Sequence, residues 1–143
     1  MTPSEVWAAL AEPESIRRWL LADAVLEPRV GGAFSLNWSG GEEAHGQVRL
    51  WEPPSVFEVD WNEPALRSIL HIEIAAAESG STLVLDHRNV TSEASIGMGA
   101  GWHAHLELLS ELVEGGDPTA ERWQPRYESL RPEYEQLVAA RPS

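Results

Sequence analysis

The chain has 143 residues, 43% of them hydrophobic, with a formal charge of −13; that is one domain's length and too apolar for disorder. So acidic a surface repels phosphate backbones and anionic headgroups, which makes nucleic acid and membrane poor partners. The absence of cysteine removes disulfides, thiolate catalysis and cysteine-held zinc.

Met1-Thr2-Pro3-Ser4-Glu5 lacks the basic and apolar regions of a secretion signal, and no apolar run nears the roughly 20 residues of a spanning helix, so a cytoplasmic location is expected. The same segment reads as a helix start, with Thr2 as cap, Pro3 in the first position and Glu5 closing a capping box. Val6, Trp7 and Leu10 continue at helical spacing. Pro13 stops this helix and opens a second, whose buried face carries Ile16, Trp19 and Leu20. Gly31-Gly32 then marks a turn.

From Ala33 the period becomes two. Phe34, Leu36 and Trp38 alternate with polar residues, as do Gly46, Val48 and Leu50, then Phe57, Val59 and Trp61, then Leu70, Ile72 and Ile74, then Leu83, Leu85 and His87. Turn residues separate the runs: Ser39-Gly40-Gly41, Pro53-Pro54, Asn62-Glu63-Pro64 and Ser79-Gly80. Five strands, each with one apolar face, predict an antiparallel meander. Trp51 has the wrong parity for the inner face and is expected under the tail.

Gly97-Met98-Gly99-Ala100-Gly101 reads as a flexible lead into a long helix ending at Gly115-Gly116. On that helix Trp102, Leu106, Leu109, Leu112 and Val113 share an arc, opposite His103, Glu107, Ser110, Glu111 and Glu114. Tyr127, Leu130, Tyr134 and Leu137 are helically spaced, but Pro125 and Pro132 predict one or two short helices. The expectation is a single α+β domain, 1–143, with 116–143 as an extension packed on the body. A sheet with one apolar face and a helix with one apolar stripe must cover each other, and a twisted sheet wrapped on one helix leaves a cavity.

Val6-Trp7-Ala8-Ala9-Leu10, Pro13-Glu14, Arg18-Trp19 and Arg29-Val30-Gly31-Gly32-Ala33-Phe34 resemble the opening of the helix-grip (START-like, SRPBCC) superfamily. Within it the chain is most similar to the branch named after the activator of the heat-shock-protein-90 ATPase, through Leu85-Asp86-His87-Arg88 and Gly101-Trp102-His103-Ala104-His105-Leu106. The tail, Trp123-Gln124-Pro125-Arg126-Tyr127 through Arg131-Pro132-Glu133-Tyr134-Glu135, resembles the extension of many bacterial members. The resemblance implies a ligand- or partner-binding module, or the cyclase and hydrolase chemistry that other members carry, or chaperone co-regulation. The family's first strand is missing ahead of the helix at residue 3, which implies either an upstream start or a free sheet edge beside Leu83–Asn89, open to pairing in a homodimer.

No catalytic signature stands out. His103 and His105 are two apart, which on a helix sends them in different directions, so they do not form a metal pair; His103 and Glu107 read as a solvated pair. No metal or cofactor is expected. Strand parity turns His87 inward and helical geometry puts His105 within the apolar arc, so the two are expected to share an interior space, to stay neutral and to hydrogen-bond each other directly or through water. The candidate ligand-binding residues are Trp19, Phe34, Leu36, Trp38, Val48, Val59, Trp61, Leu70, Ile72, Leu85, His87, Trp102, His105 and Leu109. The expected ligand is a small apolar or amphiphilic molecule; an enzyme using His87 or His105 as acid or base is the rival.

Overall fold

The computed structural model describes residues 2–63 and 66–139. Pro64, part of one expected turn, and residues 140–143 of the extension lie outside them. Two helices come first, α1 (Pro3–Ala11) and α2 (Pro13–Trp19). The expected capping box is formed: Glu5 N donates to Thr2 Oγ1 at 3.2 Å, and Thr2 N donates back to the Glu5 carboxylate at 3.3 Å.

Six strands follow rather than five: β1 (Ala22–Leu26), β2 (Ala33–Trp38), β3 (Glu43–Glu52), β4 (Val56–Glu63), β5 (Leu66–Ala77) and β6 (Gly80–Arg88). Their order in the sheet is their order in the chain, and every pair is antiparallel. The unexpected strand is β1, which pairs Ala22 with Trp38 and Leu26 with Phe34. It is short, and Asp23 breaks its apolar character. Leu21, just before it, has φ 62°. That left-handed conformation is costly for a branched side chain, and it redirects the chain from α2 into the sheet. β6 is the other edge of the sheet, as expected, with no strand beyond it among the described residues.

The expected alternation holds except in β3. There the register shifts between Val48 and Leu50, a bulge that places two residues opposite one. Beyond it parity reverses, so Trp51 comes opposite Phe57. Its ring lies 5.0 Å from Trp7 and 5.8 Å from Phe57. Trp51 therefore packs under α1, not under the tail. Gly46 serves the same curvature: a Cβ there would stand 2.4 Å from the Asp60 carbonyl oxygen.

Helix α3 runs Ser92–Val113 and is capped by Thr91, whose Oγ1 accepts from Ala94 N at 3.1 Å. The glycines at 97, 99 and 101 are thus inside the helix, not a lead into it. They make room for α4 (Trp123–Ala139), which a 3₁₀ turn (Ala120–Arg122) introduces. A Cβ at Gly99 would lie 2.6 Å from the Tyr134 ring. Leu130 is buried against Ala100 and Ala104. α4 is one helix, not two short ones. Pro125 sits in its first turn, where no backbone bond is lost, and Pro132 is carried inside it.

The sheet curls around α3, and the core lies between them, closed at one end by α1 and α2. The outer face of β3–β6 is charged. Arg49 reaches Glu58 at 3.2 Å and Asp60 at 3.0 Å, and Arg88 reaches Asp86 at 2.8 Å. His71 lies between Glu58 at 2.9 Å and Glu73 at 3.0 Å. Only the protonated ring can donate to both carboxylates. The bond to Glu73, with that to Glu58, raises the His71 pKa against the opposing effect of partial burial. For Glu58, burial pushes upward, but bonds from His71 and Arg49 bring its carboxyl below the ordinary value.

Candidate functional site

Between the open end of the sheet and α3 lies a cavity of about 510 Å³, in the range of small-molecule sites. Six parts of the chain wall it. Leu20 and Leu21 come from the α2–β1 junction, and Trp38, Gly40 and Glu42 from the β2–β3 hairpin. Trp61 and Glu63 end β4 and His87 ends β6. The helices supply Gly97, Met98, Gly101, Trp102 and His105 from α3, and Trp123, Gln124 and Tyr127 from α4.

Trp61 is the hub of the aromatic wall. Its ring centre lies 5.3 Å from Trp102, 5.4 Å from His87, 5.9 Å from Phe34 and 6.0 Å from Trp38. On the helical side Trp123 stacks on Tyr127 at 4.9 Å and lies 5.0 Å from His105. Trp38 Nε1 donates to the Leu20 carbonyl at 2.9 Å, which ties the hairpin to the strained turn at Leu21.

His87 is held in one tautomer. Trp102 Nε1, which can only donate, points at His87 Nδ1 at 3.0 Å. Nδ1 is therefore the acceptor and Nε2 carries the proton, which it donates to Ser68 Oγ at 2.7 Å. The Ser68 hydroxyl donates in turn to the Trp61 carbonyl at 2.7 Å. Burial pushes the His87 pKa down to about 4, against the pull of the Asp86 carboxylate.

His105 differs. Its Nδ1 donates to the Trp19 carbonyl at 2.9 Å. Burial depresses its pKa too, to about 4, outweighing that bond. Among the described residues its Nε2 has no protein partner, and no buried side-chain nitrogen or oxygen there is unsatisfied, so Nε2 opens on the cavity that His105 lines. The two histidines border one space, as parity and helical geometry require, but they do not bond each other. The Trp102 indole and Ser68 occupy His87, and the Trp19 carbonyl takes His105. His103 diverges from His105, bonding the Tyr134 hydroxyl at 3.1 Å and facing Glu107 at 3.4 Å.

Of the candidate residues, Trp38, Trp61, His87, Trp102 and His105 come together on the cavity wall. Trp19, Phe34, Leu36, Val48, Val59, Leu70 and Ile72 are packed in the core. Trp19 is the main departure: its ring is sealed in the core and its Nε1 donates to the Ala9 carbonyl at 3.0 Å. Leu85 borders a second hollow of about 710 Å³ along the free edge of β6, and Leu109 a third near Val6. Glu63, Met98, Trp123 and Tyr127 line the cavity without having been singled out. Glu63 shares parity with Trp61, and the spacing of Trp123 and Tyr127 puts both on one helical face, so these signals were present in the sequence. Glu42 sits in a hairpin loop, where no period applies.

A family model described as Activator of Hsp90 ATPase homolog 1-like protein matches residues 1–114. The chain belongs to this family. No curated protein matches it. Among solved structures, CalU16 from Micromonospora echinospora superposes with a TM-score of 0.80 at 25% identity, over 97% of this chain and 83% of that one. Protein MLL2253 from Mesorhizobium loti gives 0.72 at 26% identity, over 81% and 91%. DynU16, a putative protein in the dynemicin biosynthetic locus, gives 0.72 at 20% identity, over 82% and 45%, and speaks for the fold alone. The helix-grip architecture is thus that of the family. Helix α4, which walls one side of the cavity, lies beyond the matched stretch.

Proposed function

We propose that this family member is a non-enzymatic binding protein that holds one small, largely apolar molecule in the cavity between sheet, α3 and α4. The observation that carries this reading is the locked His87. Both its ring nitrogens are engaged inside the protein, so this cavity imidazole holds the aromatic wall in place and has no free nitrogen to exchange a proton with a ligand. The rival, a cyclase- or hydrolase-like enzyme, falls back on His105 Nε2. With its pKa near 4, that nitrogen is a weak base at neutral pH.

Titration with Nile red, a neutral polarity-sensitive dye, tests the reading. Saturable one-site binding is expected, with quenching of the Trp38, Trp61, Trp102 and Trp123 emission. Met98→Trp, which fills the cavity without touching the His87 bonds, should abolish it. If the dye and a panel of neutral aromatic and aliphatic compounds all leave the tryptophan spectrum unchanged, the carrier reading fails. Turnover of an aryl ester that disappears in His105→Ala would establish the enzyme instead.

A further inference from the structure

The cavity wall has a one-sided hydrogen-bonding capacity. All four of its indole N–H donors are engaged within the protein: Trp38 to the Leu20 carbonyl, Trp61 to Glu63 Oε1 at 3.2 Å, Trp102 to His87 and Trp123 to the Gly101 carbonyl at 3.4 Å. The one N–H of neutral His105 is donated to the Trp19 carbonyl. On the sheet side and at His105, what remains toward the space are acceptors: His105 Nε2, the second oxygen of Glu63 and the carboxylate of Glu42. The Trp38–Glu42 turn is closed by two backbone bonds, Trp38 N to the Glu42 carbonyl at 2.9 Å and Gly41 N to the Trp38 carbonyl at 3.0 Å, which sets Glu42 at the mouth.

Neither glutamate has a cationic partner among the described residues, whereas ten other carboxylates do. The spare side-chain donors are on the α4 side. There the Tyr127 oxygen accepts from Arg131 at 2.8 Å, leaving its hydrogen free, and Gln124 donates to Glu128. A lining of aromatic faces with acceptors at its sheet-side rim matches an ammonium group, which only donates and is attracted to indole faces. The net charge of −13 disfavours an anion.

Resting on the reading of this cavity as a ligand site, we infer that its ligand is an organic cation, a flat apolar amine whose body lies among Trp61, Trp102 and Trp123 and whose ammonium sits at the Glu42–Glu63 rim.

Three probes of one shape test this by calorimetry at neutral pH: 1-naphthylmethylamine, 1-naphthylmethanol and 1-naphthoate. The amine should bind roughly tenfold more tightly than the alcohol, and the carboxylate most weakly. In Glu42→Gln/Glu63→Gln, which keeps the acceptor for Trp61, the amine should lose its advantage. The double variant Glu14→Gln/Glu52→Gln removes the same charge away from the cavity and should keep it. Thermal melts verify folding; should the first double variant unfold, Glu42→Gln alone, in an exposed turn, should at least halve the ratio. An alcohol that binds as well as the amine overturns the inference and leaves the carrier reading standing. Equal loss in both double variants also overturns it, since the long-range field would then account for the preference. If none of the three probes binds, the inference fails, and the Nile red titration decides the carrier reading by itself.

Discussion

His71 and His87 lie on opposite faces of neighbouring strands, in adjacent register pairs: Leu70 opposite His87, and His71 opposite Asp86. One position of strand parity separates two opposite fates. Outside, His71 sits between carboxylates that favour its charged form. Inside, His87 sits among indoles and a hydroxyl that leave it only the neutral form. The same residue type is thus a charge paired between carboxylates on one face and a neutral part of an aromatic wall on the other.

The largest expected difference between the faces is in stability. His87→Ala leaves the Trp102 N–H and the Ser68 hydroxyl without their partner and opens a void, so it should cost about 2–4 kcal/mol in urea unfolding. His71→Ala removes a partly solvated pair and should cost at most about 1 kcal/mol. Equal losses would break the comparison.

The pH dependence sharpens it. His87 and His105 have folded pKa values near 4, below the ordinary 6.5. The unfolded chain therefore takes up their protons first, and stability should fall as pH drops from about 6.5 towards 4. His71 is shifted the other way. Its contribution is complete below its unfolded pKa and is lost as pH rises through its folded value. Unfolding midpoints from pH 4 to 9 should show a shallower acid limb in His105→Phe and a flatter alkaline limb in His71→Gln. Depressed carboxylates such as Glu58 begin to add their own loss below about pH 5, overlapping the acid end of the histidine window.

The smallest effect is that of salt. Arg49→Gln should cost less than His71→Ala, and the loss should shrink at high ionic strength. The cost of His87→Ala should not change with salt.

Much of this was legible because strand parity and helical period are properties of the chain itself. Parity placed Trp61 and His87 inside, and helical geometry placed His105 beside the same space. What local pattern could not show was decided by distant partners. The bulge at Arg49 turned Trp51 inward under α1, and nothing in the residues around Val48 announces the shift. The glycines of α3 read as a flexible lead because their use lies some 30 residues away, in the rings of α4. β1 was too short and too mixed to show a period, and hydrogen-bond partners such as the Trp19 carbonyl depend on the finished fold.

The family-matched stretch ends at residue 114, yet Trp123, Gln124 and Tyr127 complete the cavity. The cavity wall is therefore a composite of two segments, the family-matched scaffold and the helix that follows it. The scaffold must keep its sheet and the bonds around His87. Substituting Trp123, Gln124 or Tyr127 would reshape the cavity from the α4 side alone, provided an aromatic ring still nests against Gly99. Grafting a different tail onto this scaffold should redirect ligand choice without refolding the sheet, and Gly99 is where an incompatible graft would first clash.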